Sequence, residues 1–111
     1  MMDRPPPTPE TAFFWDIAEP LLTKPGTTIG TLMRFPCLRV NGNFFATCDH
    51  RTGDLIVKLA RHRVAQLLVA GEGRPFAPAG RTFKEWATIP DRDEATWQAL
   101  LAEAWTHART R

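Results

Sequence analysis

TIGTLMRFPCLRVNGNFFATCDHRTGDLIVKL, residues 28–59, decides the fold. Its strongest local signal is Asn41-Gly42. Both residues tolerate positive φ, which a two-residue hairpin turn demands. Asp49 to Gly53 (DHRTG) reads as a second, looser turn. The two turns cut the stretch into strands expected near residues 28–35, 36–40, 43–48 and 54–59. Pro36 has no amide proton to give a neighbouring strand, so a bulge or break is expected between the first two.

The hairpin fixes a register. A two-residue loop pairs Val40 with Asn43, Arg39 with Phe44, Leu38 with Phe45 and Cys37 with Ala46. Continued through the second turn, the ladder pairs Cys48 with Asp54, Phe45 with Val57 and Phe44 with Lys58. Side chains alternate between faces, so the register sorts them. Leu38, Val40, Phe45, Thr47, Leu55 and Val57 form the expected core face. The other face carries Arg39, Phe44 and Lys58 in one row and Cys37, Ala46 and Ile56 in the next.

Helical periodicity flanks this region. Phe13, Ile17 and Leu21 recur every four residues, with Phe14 beside them. Thr8-Pro9-Glu10 suits the start of that helix, and Pro20 kinks or ends it. Ala60 to Ala70 presents Ala60, Val64, Leu67 and Leu68 on one side and stops at Gly71. GEGRPFAPAGR reads as a turn-rich link. Phe83 to Ile89 reads as a strand, in which KEW leaves the faces ambiguous. The reading favours Trp86 in the core and Glu85 near the Arg39–Lys58 row as a charge partner. Asp91 or Asp93 caps a last helix whose buried stripe is Trp97, Leu100, Leu101, Ala104, Trp105 and Ala108. The order predicts an α+β fold: two layers, an antiparallel sheet with helices packed on one face.

Size and charge narrow the function. The 111 residues suit one domain, expected over residues 10–111 behind a flexible Pro-rich arm at 1–9. No apolar run reaches the roughly 20 residues of a membrane span, and MMDRPPPTPE lacks the apolar stretch of a secretory leader. The two cysteines fit a reducing cytoplasm and read as small apolar filler on one sheet face, diagonal to each other. The net charge of +2 hides an uneven spread: Lys24 to Lys84 holds ten Lys or Arg against three acids. That basic middle, with Phe44 between two cations, points to an anionic, planar partner such as nucleic acid. The candidate contacts are Arg34, Arg39, Phe44, Lys58, Arg61 and Arg63. Two other readings stand beside it. The stems of Arg39 and Lys58 simply cover Phe44, or the half-apolar face is a protein contact, such as a homodimer interface.

Catalytic and metal chemistry find little support. The chain has no serine and no tyrosine. No Cys–His pair comes with a local oxyanion hole, and no glycine pattern makes a phosphate loop. Cys48, Asp49 and His50 are consecutive, and consecutive residues rarely converge on one metal. No catalytic residue, metal or cofactor is expected.

The order GTLMRFPCLRVNGNFFAT, DLIVKLARHRVAQLLVAGEGRPF, RTFKEWATIP and a final helix resembles the TfoX amino-terminal-domain-like and MmcQ/YjbR-like proteins. The pieces that carry the resemblance are GNFFA, LIVKL, the helix ending in GEGRPF, and KEW. The MFG turn often seen in such proteins is replaced by Met33-Arg34-Phe35. The resemblance implies a small two-layer α+β fold and a bacterial cytoplasmic protein. Members are often labelled DNA-binding by fold analogy, and TfoX itself is linked to competence regulation together with a second, C-terminal domain. A chain of this length is expected to hold the first module alone.

Overall fold

The computed structural model describes Pro6, residues 8–32 and residues 34–110. The rest of the Pro-rich arm and Met33 lie outside the described residues. Six strands form one antiparallel sheet: β1 Thr27–Leu32, β2 Phe35–Val40, β3 Asn43–Cys48, β4 Leu55–Lys58, β5 Arg74–Phe76 and β6 Phe83–Ile89. Their spatial order is β1-β2-β3-β4-β6-β5. Three helices, α1 Ala12–Ala18, α2 Arg61–Val69 and α3 Glu94–Arg109, pack against one face. This is the α+β, two-layer arrangement expected from the order of turns and periodic stretches.

Asn41-Gly42 makes the predicted tight turn, with φ of 51° and 84°. Arg39 pairs with Phe44 and Val40 with Asn43, as expected. The ladder then departs from the prediction. Leu38 pairs with Ala46 rather than Phe45, so Phe45 is an extra residue in a β-bulge. Beyond it Ala46 faces Val57 and Cys48 faces Leu55, each shifted by one from the expected partner. Phe45 and Ala46 both enter the core, and Thr47 moves to the open face. The cysteines are separated by the same shift. Cys48 joins the core cluster, whereas Cys37 shares the other face with Gly30. No turn residue marks the bulge; what drives it is that Phe45, Ala46 and Cys48 are all better buried than exposed.

Pro36 does not break β2. It pairs with Thr31, and the chain turns before it, at Arg34, whose φ is 74°. The first helix starts at Ala12, later than the Thr8-Pro9-Glu10 signal. Thr8 instead forms the preceding turn, its carbonyl accepting the Thr11 and Ala12 amides. Pro20 ends α1 as expected, and the chain continues as a 3₁₀ turn over Glu19–Thr23.

In α3 the cap is Asp93, whose carboxylate accepts the Ala95 and Thr96 amides. All six residues of its predicted stripe are buried. Trp97 is fully enclosed, with Phe13 edge-on at 4.9 Å and its indole N–H donating to the Asp91 carbonyl. Trp105 reaches across the layers: its Nε1 donates to Thr27 Oγ1 at 2.8 Å.

Two expectations in the last third change. The GEGRPF link contains β5, an edge strand, where a proline without an amide proton is tolerated. Trp86 is not in the core. β6 buries Ala87 and Ile89, so alternation places Trp86 on the open face beside Lys58.

Candidate functional site

The helices cover one face of the sheet, and the site lies on the other. Its centre is a row of side chains running across the strands. Thr28 on β1 pairs with Arg39 on β2, which pairs with Phe44 on β3. Lys58 on β4 pairs with Trp86 on β6. The bulge sets Phe44 one residue off from Lys58, instead of directly opposite as the unbroken ladder predicts. The row therefore reads cation, ring, cation, ring across four neighbouring strands.

Local packing fixes the first pair. Arg39 Nε donates to Thr28 Oγ1 at 2.9 Å, and its guanidinium lies 5.8 Å from the Phe44 ring centroid. Both side chains fold over Gly30. A Cβ there would meet Phe44 Cε1 at 3.0 Å and Arg39 Cζ at 3.2 Å, so the glycine provides the space for this platform. Lys58 Nζ lies 3.7 Å from Glu85 Oε1, a partly exposed pair with little mutual hold. Glu85 is thus the charge partner expected near the row, through Lys58.

Beyond the row, the surface deepens into a cleft of about 650 Å³. Phe44 stands on one side, and Phe76, Phe83 and Trp86 on the other, with Ile56 and Thr47 beneath. Phe76 contacts both Phe83 (centroids 6.0 Å apart) and Trp86 (6.2 Å). The Pro78–Gly80 turn forms a rim, and Arg81 lies 5.6 Å from the Phe83 centroid. Among the described residues, the lining holds two cations, Lys58 and Arg81, and no carboxylate, histidine or cysteine. The cleft is apolar inside and positive at its edges.

The six predicted residues divide four ways. Arg39, Phe44 and Lys58 come together in the row. Arg61 opens α2 and borders a shallower depression shared with Lys58, Lys84 and Trp86. Arg34 sits exposed in the β1–β2 turn. Arg63 turns to the helix layer, where its Nε reaches both carboxylate oxygens of Glu103, at 2.9 and 3.2 Å. It does not join the open face. Sequence reasoning missed Phe76, Arg81, Phe83 and Trp86. The available signal was a clustering of aromatics and cations on either side of APAG.

The thiols take no part in this surface. Burial pushes both Cys37 and Cys48 from 9.0 up to about 12, so each is a neutral thiol. Cys37 Sγ donates to the Ala46 carbonyl. Among the described residues no three His, Cys, Asp or Glu side chains gather as a metal site, and no helix is long and apolar enough to cross a membrane.

No curated protein and no solved structure matches the chain. A family model described as YjbR matches residues 22–107. That span contains all six strands, the whole of α2 and nearly all of α3, and therefore the sheet face on which the cleft is built. The chain belongs to the YjbR family.

Proposed function

We propose that this protein is a non-catalytic binding module, acting in a reducing cytoplasm, that holds nucleic acid on its open sheet face. The observation that carries the reading is the cross-strand row Arg39–Phe44–Lys58–Trp86. Cations and aromatic rings alternate along it, matching a polymer whose charges and flat bases alternate. The composition of the cleft supports a role in binding: its walls offer rings and positive charge, with no side-chain base beside a nucleophile.

The test is binding to single-stranded and duplex DNA at two salt concentrations, with Arg39→Glu and Lys58→Glu beside the wild type. Binding is expected at low salt, falling steeply as salt rises, because released counterions drive it. Each charge reversal is expected to weaken it. Absence of binding at low salt removes the reading, and binding indifferent to both substitutions removes the site.

A second reading rests on the cleft itself. Its volume of about 650 Å³ falls among small-molecule sites. A small aromatic anion would use the same rings and cations, and would saturate the site with little dependence on salt.

A further inference from the structure

We infer that Arg39 and Arg81 are the two phosphate anchors of the open face, each presented on a phenylalanine ring beside the cleft. This rests on the nucleic-acid reading above and narrows it to the groups that take the backbone charge. Arg39 Cζ lies over Phe44, 5.8 Å from the ring centroid, and Arg81 Cζ over Phe83 at 5.6 Å. Both rings line the cleft, Phe44 from β3 and Phe83 from β6, with β4 between those strands. The two arginines therefore flank it. A guanidinium set over a ring keeps its N–H donors in its own plane, at the edge, where they match the oxygens of a phosphate.

Ion pairing separates these two from other cations of the molecule. Lys58 is drawn toward Glu85, Arg63 is held by Glu103 and Arg92 by Asp54. Each of those must give up a carboxylate before it neutralises a phosphate. Among the described residues Arg39 and Arg81 have no carboxylate partner, and the cleft lining between them has no carboxylate either. Arg81 stands outside the cross-strand row, so the row alone does not reveal it. Both side chains are also placed. Arg39 Nε donates to Thr28 Oγ1 at 2.9 Å, which leaves both Nη groups for a ligand. Gly30 gives that guanidinium its room, since a Cβ there would lie 3.2 Å from Arg39 Cζ and Nε. Arg81 follows the Pro78–Gly80 turn, and its amide donates to the Pro78 carbonyl. Thr28 is therefore a positioning residue, orienting the arginine that meets the phosphate.

Counterion release makes the anchors countable. Each phosphate neutralised steepens the fall of log affinity with log salt by about 0.7 for a single strand and about 0.9 for a duplex. The experiment follows the anisotropy of two labelled probes, an oligothymidine strand and its duplex with oligoadenosine, over a series of salt concentrations. Arg39→Gln and Arg81→Gln are each expected to lower the steepness by that amount, and the double variant by both together. Arg63→Gln removes a charge from the helix layer and is expected to leave the steepness unchanged. Thr28→Val keeps every charge, so it is expected to weaken binding several-fold at each salt concentration with the wild-type steepness, and Thr28→Ser to restore it. Far-UV spectra check that each variant keeps its fold.

Wild-type steepness in either glutamine variant of Arg39 or Arg81 overturns the inference and leaves the nucleic-acid reading standing. So does an Arg63→Gln protein that loses as much as they do, because charge anywhere on the surface then counts alike. Wild-type affinity in Thr28→Val overturns the positioning role of Thr28. Failure of both probes to bind the wild type at low salt overturns the inference and the reading beneath it together.

Discussion

Thr27→Val tests the tie between the first strand and the last helix. The Thr27 hydroxyl is buried at 5% exposure and accepts the Trp105 indole N–H at 2.8 Å. Valine has nearly the same shape and a higher strand preference, so the substitution perturbs β1 very little. It does leave the indole N–H buried without an acceptor. Such an orphan costs about 1–3 kcal/mol. For 111 residues, 1 kcal/mol lowers the melting temperature by about 4 °C, so Thr27→Val is expected to melt about 4–13 °C lower. Trp105→Phe costs stability as well, through lost volume and lost contacts to Lys24 and Arg109. In the double variant both polar groups are gone, and the two costs do not add. Urea unfolding of all four proteins gives the coupling energy, expected at about 1 kcal/mol or more. A Thr27→Val protein within about 0.3 kcal/mol of wild type, with no coupling, would refute the bond as a structural tie.

Other expectations follow from the open face and the buried groups. Gly30→Val places a branched side chain where Arg39 and Phe44 now lie; circular dichroism is expected to stay native while single-strand affinity drops several-fold by anisotropy. Arg63→Gln removes a half-exposed pair with Glu103, so it is expected to cost less than about 1 kcal/mol in urea unfolding and to leave nucleic-acid affinity unchanged. The thiols make stability fall at high pH. Their pKa values rise from 9.0 unfolded to about 12 folded, so the neutral thiols contribute fully below pH 9, and that contribution is lost between pH 9 and about 12. Melting curves across that range are expected to fall less steeply for a Cys37→Ala, Cys48→Ala protein than for wild type.

Much of the architecture is legible because local chemistry and global packing agree there. Asn41-Gly42 admits one kind of turn, and the apolar stripe of α3 from Trp97 to Ala108 has one way to be buried. The losses come where the two part company. Nothing next to Phe45 announces a bulge; the extra residue is a compromise among side chains on three strands. KEW offers one cation on one side and one acid on the other, so alternation cannot choose, and the choice falls to Ala87 and Ile89 filling the core. β5 is three residues containing a proline, too short for a periodic signal. The same gaps hide half of the cleft: Phe76 stands on the unseen strand and Trp86 on the misassigned face. Proximity in sequence groups Arg63 with Arg61, yet a helix turns residues two apart to different sides, and Glu103 lies on only one of them.

The bulge at Phe45 works as a change of phase. In an unbroken strand, a ring facing outward at Phe44 would force Ala46 and Cys48 outward too. One supernumerary residue releases that constraint, so a single strand serves the solvent side at one end and the interior at the other. Deleting Phe45 would restore regular alternation without reversing any remaining side chain, whereas deleting Thr47 would turn Cys48 outward. Shortening and hollowing β3 are therefore separable operations in this protein. Removing Phe45 altogether leaves the open face in frame, while truncating its ring leaves the frame and its bend intact and empties the core.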